Sequence, residues 1–274
     1  MPSWGAETTY WLALAAGALL AGLVYGRRLK KSGQPLKRAL SAPVLALLLG
    51  LAGARLFYFL ARSAFLVPMY GWAALFRLPY DGLAFGGAAA GAALAALMME
   101  KACGAAPFSF LDPLAPAGAV MVTAARLGEY AVSFGQGAYV ENPSHQFFPL
   151  AVMNEWEEWY YAVFMLEALI ALCCLIYALK ARGLPRGRRF KLTLTLMMLG
   201  QVFAESLRSE SLKWGFVRVH QLFAVLAAAA VLAGFIRQAL RRGERLLLLL
   251  ARWALPYLIG VALLIGLEFA LDKW

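Results

Sequence analysis

Histidine, cysteine and acidic side chains are scarce in this chain: its 274 residues include 2 His, 3 Cys and 15 Asp or Glu, against 26 Lys or Arg. The cysteines, Cys103, Cys173 and Cys174, show no metal-ligand spacing and lie in or beside apolar runs, so neither a disulfide framework nor a zinc site is supported. His145 and His220 are isolated, and a lone histidine reads first as a structural residue. No glycine loop for nucleotides and no G-x-S-x-G elbow is present, which removes the usual supports of phosphoryl transfer and serine hydrolysis. The formal charge of +11 would suggest nucleic acid in a soluble protein, but here it falls in short clusters between apolar runs. Nucleic acid is therefore not an expected partner.

What is abundant is apolar surface: 62% of residues are hydrophobic and the mean hydropathy is +0.68, values that exclude a soluble domain. The expected fold class is all-α, a polytopic membrane helix bundle. A bilayer core takes roughly 20 apolar residues per helix, and the chain offers eight such runs, near 8–26, 40–61, 82–100, 112–128, 159–179, 192–208, 216–236 and 246–270. The first is followed, not preceded, by Arg27, Arg28, Lys30 and Lys31, the reverse of a signal peptide's charge order, so it is read as a helix that stays. The loops 27–38 and 180–191 carry six Lys/Arg each and 237–245 four, whereas 129–158 has five glutamates and no Lys or Arg. With eight spans the basic loops share one side, the cytoplasmic one, and both termini and 129–158 face outward.

That topology places the intramembrane polar residues in one leaflet. Tyr10 starts the first helix on the outer side, Arg55 lies in the outer half of the second, and Arg126 closes the fourth. Glu167 falls in the outer half of the fifth, and Gln201, Glu205 and Arg208 share one face near the outer end of the sixth. An arginine within a membrane helix costs about 2.5–3.5 kcal/mol on insertion scales, so Arg126 needs an interface to snorkel to or a partner. Glu129, three residues on, is the nearest candidate partner; Glu205 and Arg208 are spaced to neutralise each other. Asp112-Pro113 reads as an N-cap and first-turn proline, and Gly87 and Gly91 as a GxxxG packing face. Scattered structural charges would divide between the leaflets. Their one-sided clustering favours a polar cavity open to the outer side.

These residues resemble the bacterial prolipoprotein diacylglyceryl transferase family, from about Tyr10 to Gln221. The family's signature runs D-x-x-A-P, an Arg ten residues after that Pro within G-R-x-G-N, and a Gly eleven residues after the Arg; Asp112, Ala115, Pro116, Arg126, Gly128 and Gly137 match at those spacings. GARLFYF (Gly53–Phe59) is similar to its G-G-R-L-G-Y, Glu205 with Arg208 to its R-x-x-x-E-x-x-R, and Gln221 to its G-Q-x-x-S. Glu167 aligns with the Glu of H-P-S-Q-L-Y-E. The chain departs at Phe85-Gly86-Gly87, where the family has H-G-G, at Glu129 in place of Asn, and at Gln201 in place of the first Arg; the run 246–270 extends beyond the family's seven helices. A division into a transferase-like membrane domain, 1–245, and an additional helix, 246–274, follows from this resemblance.

The resemblance implies transfer of a diacylglyceryl group from phosphatidylglycerol to the lipobox cysteine of prolipoproteins, at the outer face of the bacterial cytoplasmic membrane, without metal or cofactor and as a monomer. Its expected catalytic set is Arg126, Glu129, Glu205 and Arg208; its expected substrate-binding set is Tyr10, Arg55, Gly128, Gly137, Glu167, Gln201 and Gln221. Arg forks hold phosphate bidentately, which suits a departing phosphate. The competing readings are a catalytically inactive lipid- or prolipoprotein-binding relative and a small-solute transporter. A transporter would show an internal repeat with broken helices at the midplane, and neither is visible.

Overall fold

The computed structural model describes residues 4–77, 82–181, 183–209, 211–214, 217–240, 243 and 245–251, together with positions 255, 258–260, 262 and 266. Its helices are α1 (Trp4–Lys31), α2 (Leu36–Ala61), α3 (Ser63–Tyr70), α4 (Phe85–Ala102), α5 (Leu111–Gly128), α6 (Val163–Lys180), α7 (Arg188–Leu207), α8 (Val219–Leu240) and α9 (Leu246–Leu249). Of the expected eighth span, α9 is the beginning, and most of the remainder lies outside the described residues.

Among the described residues four helical stretches, Gly5–Lys31, Leu36–Ala61, Val163–Lys180 and Val219–Arg237, are long and apolar enough to cross a membrane. The outward faces carry large apolar side chains, among them Leu19 at 66% and Leu40 at 63% exposure, which only a lipid surround makes favourable. This is a helical membrane protein.

Two short antiparallel pairs qualify the all-α expectation: β1 (Ala151–Met153) with β2 (Trp159–Tyr161), and β3 (Lys213–Trp214) with β4 (Val217–Arg218). The first corrects the expected span at 159–179. Trp159, Tyr160 and Tyr161 pair with Met153, Val152 and Ala151, so the helix starts only at Val163. Aromatic residues suit a half-covered pleated surface, and here they prevail over the apolar run that follows.

α5 is the hub, touching α1, α4, α6 and α7. Beside it α2 and α4 approach backbone to backbone: a Cβ on Gly87 would lie 2.1 Å from the Gly53 carbonyl oxygen, and one on Gly91 2.0 Å from that of Leu49. The GxxxG packing expectation therefore holds.

The expected N-cap at Asp112 is corrected, because Phe110 occupies that position on α5. Asp112 instead caps another helix: its carboxylate accepts from Gly187 N at 2.7 Å and Phe190 N at 2.9 Å, at the start of α7. Gly187, the N-cap residue there, sits at φ +80 and has no side chain to offer. In the same manner Glu100 of α4 accepts from Phe110 N and Leu111 N, capping α5. These two carboxylates fasten α4, α5 and α7 together at the bundle end opposite the polar cluster.

Candidate active site

At the other end, α5 and α7 terminate where α6 and α8 begin, and six polar side chains meet. Arg126 is in the last turn of α5, Glu129 in the 3-10 turn Glu129–Val132 that follows, and Glu167 near the start of α6. Gln201 and Glu205 lie toward the end of α7, and Arg208 is its C-cap. Both arginines thus stand at helix C-termini, where the backbone dipole favours a cation.

Arg126 is 8% exposed and uses every guanidinium nitrogen. Its Nη1 pairs with Glu129, Nε lies 2.9 Å from Glu167 Oε2, and Nη2 donates to Gln201 Oε1 at 3.3 Å. Arg208 completes a ring, reaching Glu167 Oε2 at 3.0 Å and Glu129 Oε2 at 3.2 Å. Gln201 donates to both Glu167 Oε1 (3.0 Å) and Glu205 Oε2 (3.1 Å), so a neutral amide links two carboxylates that would otherwise repel. Two guanidiniums and three carboxylates share one buried volume, and Glu205 Oε1 is left with no hydrogen-bond partner.

The structure thus joins Arg126, Glu129, Glu167, Gln201, Glu205 and Arg208. Glu129 is the partner of Arg126, as its spacing suggests. The expected pairing of Glu205 with Arg208 is corrected: the side-chain ion pairs of Arg208 run to Glu129 and Glu167, because its C-cap backbone turns the side chain away from the helix face.

Arg55 stands apart. Its Nε and Nη1 donate to the carbonyls of Leu75 and Gly82 at 2.9 Å and its Nη2 to that of Ala74, so the whole guanidinium is spent on the segment between α3 and α4. Tyr10 packs against the last residue of α5, where a Cβ on Gly128 would come 2.9 Å from Ala13 Cβ and 3.6 Å from the Tyr10 ring. Gly137 admits Val163, Leu207 and Tyr161 around the chain that covers the site. Gln221 donates to Val202 O at 3.3 Å and Ser206 Oγ at 2.9 Å, fastening α8 to α7.

Two contributors escaped sequence reasoning. Gly135, at φ +68, lies so close over the network that a Cβ there would sit 2.4 Å from Glu129 Oε2 and 2.9 Å from Arg208 Nη2. The glycine pair of Phe134-Gly135-Gln136-Gly137 was the available signal. Arg218, in β4, donates to the carbonyls of Glu205 (2.5 Å) and Arg208 (2.9 Å), closing the end of α7; nothing local marks it out.

A narrow crevice lined by Phe85, Val122, Ile170, Met197 and Gly200 adjoins Glu167 and Gln201, so the polar ring borders apolar surface. Among the described residues no group of three or more His, Cys, Asp or Glu side chains is placed to hold a metal ion.

A buried ring of guanidiniums and carboxylates borders an apolar crevice. The family model of prolipoprotein diacylglyceryl transferase matches residues 6–237. The chain belongs to this family. Among its relatives, the phosphatidylglycerol–prolipoprotein diacylglyceryl transferase of Bacillus cereus (strain 03BB102) is 22% identical over 254 residues, covering 88% of this chain and 92% of the relative. The protein of the same name from Frankia alni is 26% identical over 216 residues, covering 74% of this chain and 55% of the relative. The diacylglyceryl transferase match includes every residue of the ring and ends before α9.

Proposed function

We propose that this protein transfers the diacylglyceryl group of phosphatidylglycerol to the lipobox cysteine thiol of prolipoproteins. The observation that carries the reading is the ring of Arg126 and Arg208 with Glu129 and Glu167, buried at converging helix ends in a member of this family. In the reaction the sulfur attacks the glycerol carbon that bears the phosphate. An S–C bond forms, the C–O bond breaks, and glycerol phosphate leaves with the electron pair.

Arg126 and Arg208 receive that phosphate through the guanidinium N–H groups that Glu129, Glu167 and Gln201 leave over. A low-dielectric site strengthens such contacts, and loss of one pre-organised donor to a developing oxyanion costs about 2.7–4 kcal/mol. Glu129 and Glu167 orient the two forks, Gln201 fixes Glu167 and Glu205, Gly135 lets backbone close over the ring, and Gly128 and Gly137 let the neighbouring segments pack tightly beside it. Tyr10 supplies a phenol at the lipid side. Arg55, a binding residue by resemblance, serves by holding the segment after α3 against α2.

The topology that goes with this reading has eight spans in the bacterial cytoplasmic membrane, with both termini and 129–158 outside and the loops 27–38, 180–191 and 237–245 inside. The reading keeps the division between a transferase-like domain, 1–245, and a further segment, 246–274, most of which lies outside the described residues, and takes the working unit as a monomer without metal or cofactor. The test is incubation of the purified protein with phosphatidylglycerol and a lipobox peptide, reading the peptide's mass. A diacylglyceryl increment is expected. Its absence from folded protein that still binds phosphatidylglycerol would leave a lipid-binding relative.

A further inference from the structure

The mechanism above leaves the thiol proton without a destination. Glu129 holds an arginine on each oxygen, and Glu167 holds Gln201 on one oxygen and both arginines on the other. Among the described residues, the buried atoms with no hydrogen-bond partner include Glu205 Oε1 and His220 Nδ1. A buried polar atom left unpaired keeps its desolvation penalty, and such an atom calls for an explanation. Glu205 is 0% exposed within α7, and its other oxygen accepts from Gln201. His220 is only partly buried.

The position of His220 is set from both sides. Arg218, two residues before it, is bound to the carbonyls of Glu205 and Arg208, and Gln221, just after it, to Val202 and Ser206. Both clamps grip the final turns of α7, so the first turn of α8 is held beside the ring. Gly86 lets α4 close on the same turn: a Cβ there would lie 2.7 Å from the Phe223 ring. Arg126 of α5, Arg208 at the end of α7 and Glu129 of the intervening turn are the charged groups in electrostatic range of the imidazole.

We infer that His220, on α8, is the catalytic residue that takes the proton from the attacking cysteine thiol. The inference rests on the transferase reading. The S–H proton passes to the imidazole as the S–C bond forms, and the imidazolium then returns it to the departing glycerol phosphate, so the cycle closes without a further reactant. A phosphate held by Arg126 and Arg208 brings the negative charge that accommodates an imidazolium beside two cations.

The experiment compares wild type with His220→Gln and His220→Ala from pH 6.5 to 9, using phosphatidylglycerol in detergent micelles and a lipobox peptide, each variant first checked for monodispersity and phosphatidylglycerol binding. General-base assistance is worth about two to four decades, so a loss of about 100-fold is expected at pH 7. The variants' rates should then rise about tenfold per pH unit toward the thiol's own pKa of about 8.5, narrowing the gap. A peptide with selenocysteine in place of the lipobox cysteine, ionised already at pH 7, should restore the variants. An equal loss at every pH, a loss that selenocysteine does not repair, or no loss overturns the role of His220 while transfer by wild type stands. Failure of wild type itself to transfer under any of these conditions overturns the transferase reading instead.

Discussion

Arg208 Nη2 lies 3.2 Å from Glu129 Oε2, joining the end of α7 to the turn that leaves α5 across 79 residues of sequence. Glu129 also holds Arg126, so one carboxylate balances two buried guanidiniums. Breaking a buried pair from one side destabilises by about 3–5 kcal/mol, because the remaining charge stays buried and uncompensated. Glu129→Ala should therefore lower thermal stability in detergent as well as transfer. Unfolding at the wild-type temperature would show that water already reaches these arginines.

Arg126→Lys keeps the charge but not the planar fork that now reaches Glu129, Glu167 and Gln201. An ammonium's three donors radiate from one nitrogen and cannot span the same three partners. Transfer should fall by roughly two to three decades at equal folded protein, the equivalent of about 2.7–4 kcal/mol. Near-normal turnover by the Lys variant, measured by peptide mass, would reduce Arg126 to a structural cation.

Gly135→Ala combines a left-handed backbone with a Cβ placed 2.4 Å from Glu129 Oε2. The expected result is loss of most transfer with a smaller loss of stability, since the ring must open before the methyl fits. Gly104→Ala, also at positive φ but with nothing within 4 Å, is the control for backbone strain alone. Equal effects of the two substitutions on transfer would argue against Gly135 acting through the ring.

Asp112→Ala removes the cap that α5 supplies to α7. Caps of this kind are worth about 0.5–2 kcal/mol. Stability should drop by that order while the remaining folded protein transfers at near wild-type rate, because the cap is at the far end of the bundle from the ring. A steep loss of turnover in the folded fraction would contradict that separation.

Topology is checked by labelling single introduced cysteines from outside intact cells. Positions in 139–147 should label and positions in 182–189 should not, as the Lys/Arg asymmetry of the loops requires. The reverse pattern would turn the ring toward the cytoplasm and remove it from exported substrates.

Sequence alone determined what depends on local composition. Apolar runs separated by basic loops specify helices, because hydropathy acts residue by residue, and α1, α2, α4, α5, α7 and α8 lie where those runs lie. Glu129 was identifiable as the partner of Arg126 since three residues separate neighbours on a helical face, and the signature from Asp112 to Gly137, taken in order with Gly53–Phe59, Glu205, Arg208 and Gln221, indicated the family. Tertiary structure decided which distant charge meets which. Whether Glu167 and Arg208 enter the ring, whether Arg55 is left free for a ligand, and which helix Asp112 caps depend on how each helix is rotated and how closely it approaches its neighbours. Those quantities come from glycine contacts such as Gly53 on Gly87 and from clamps such as Arg218 on the end of α7. No residue's own propensity encodes them, because each is a property of two segments packed together.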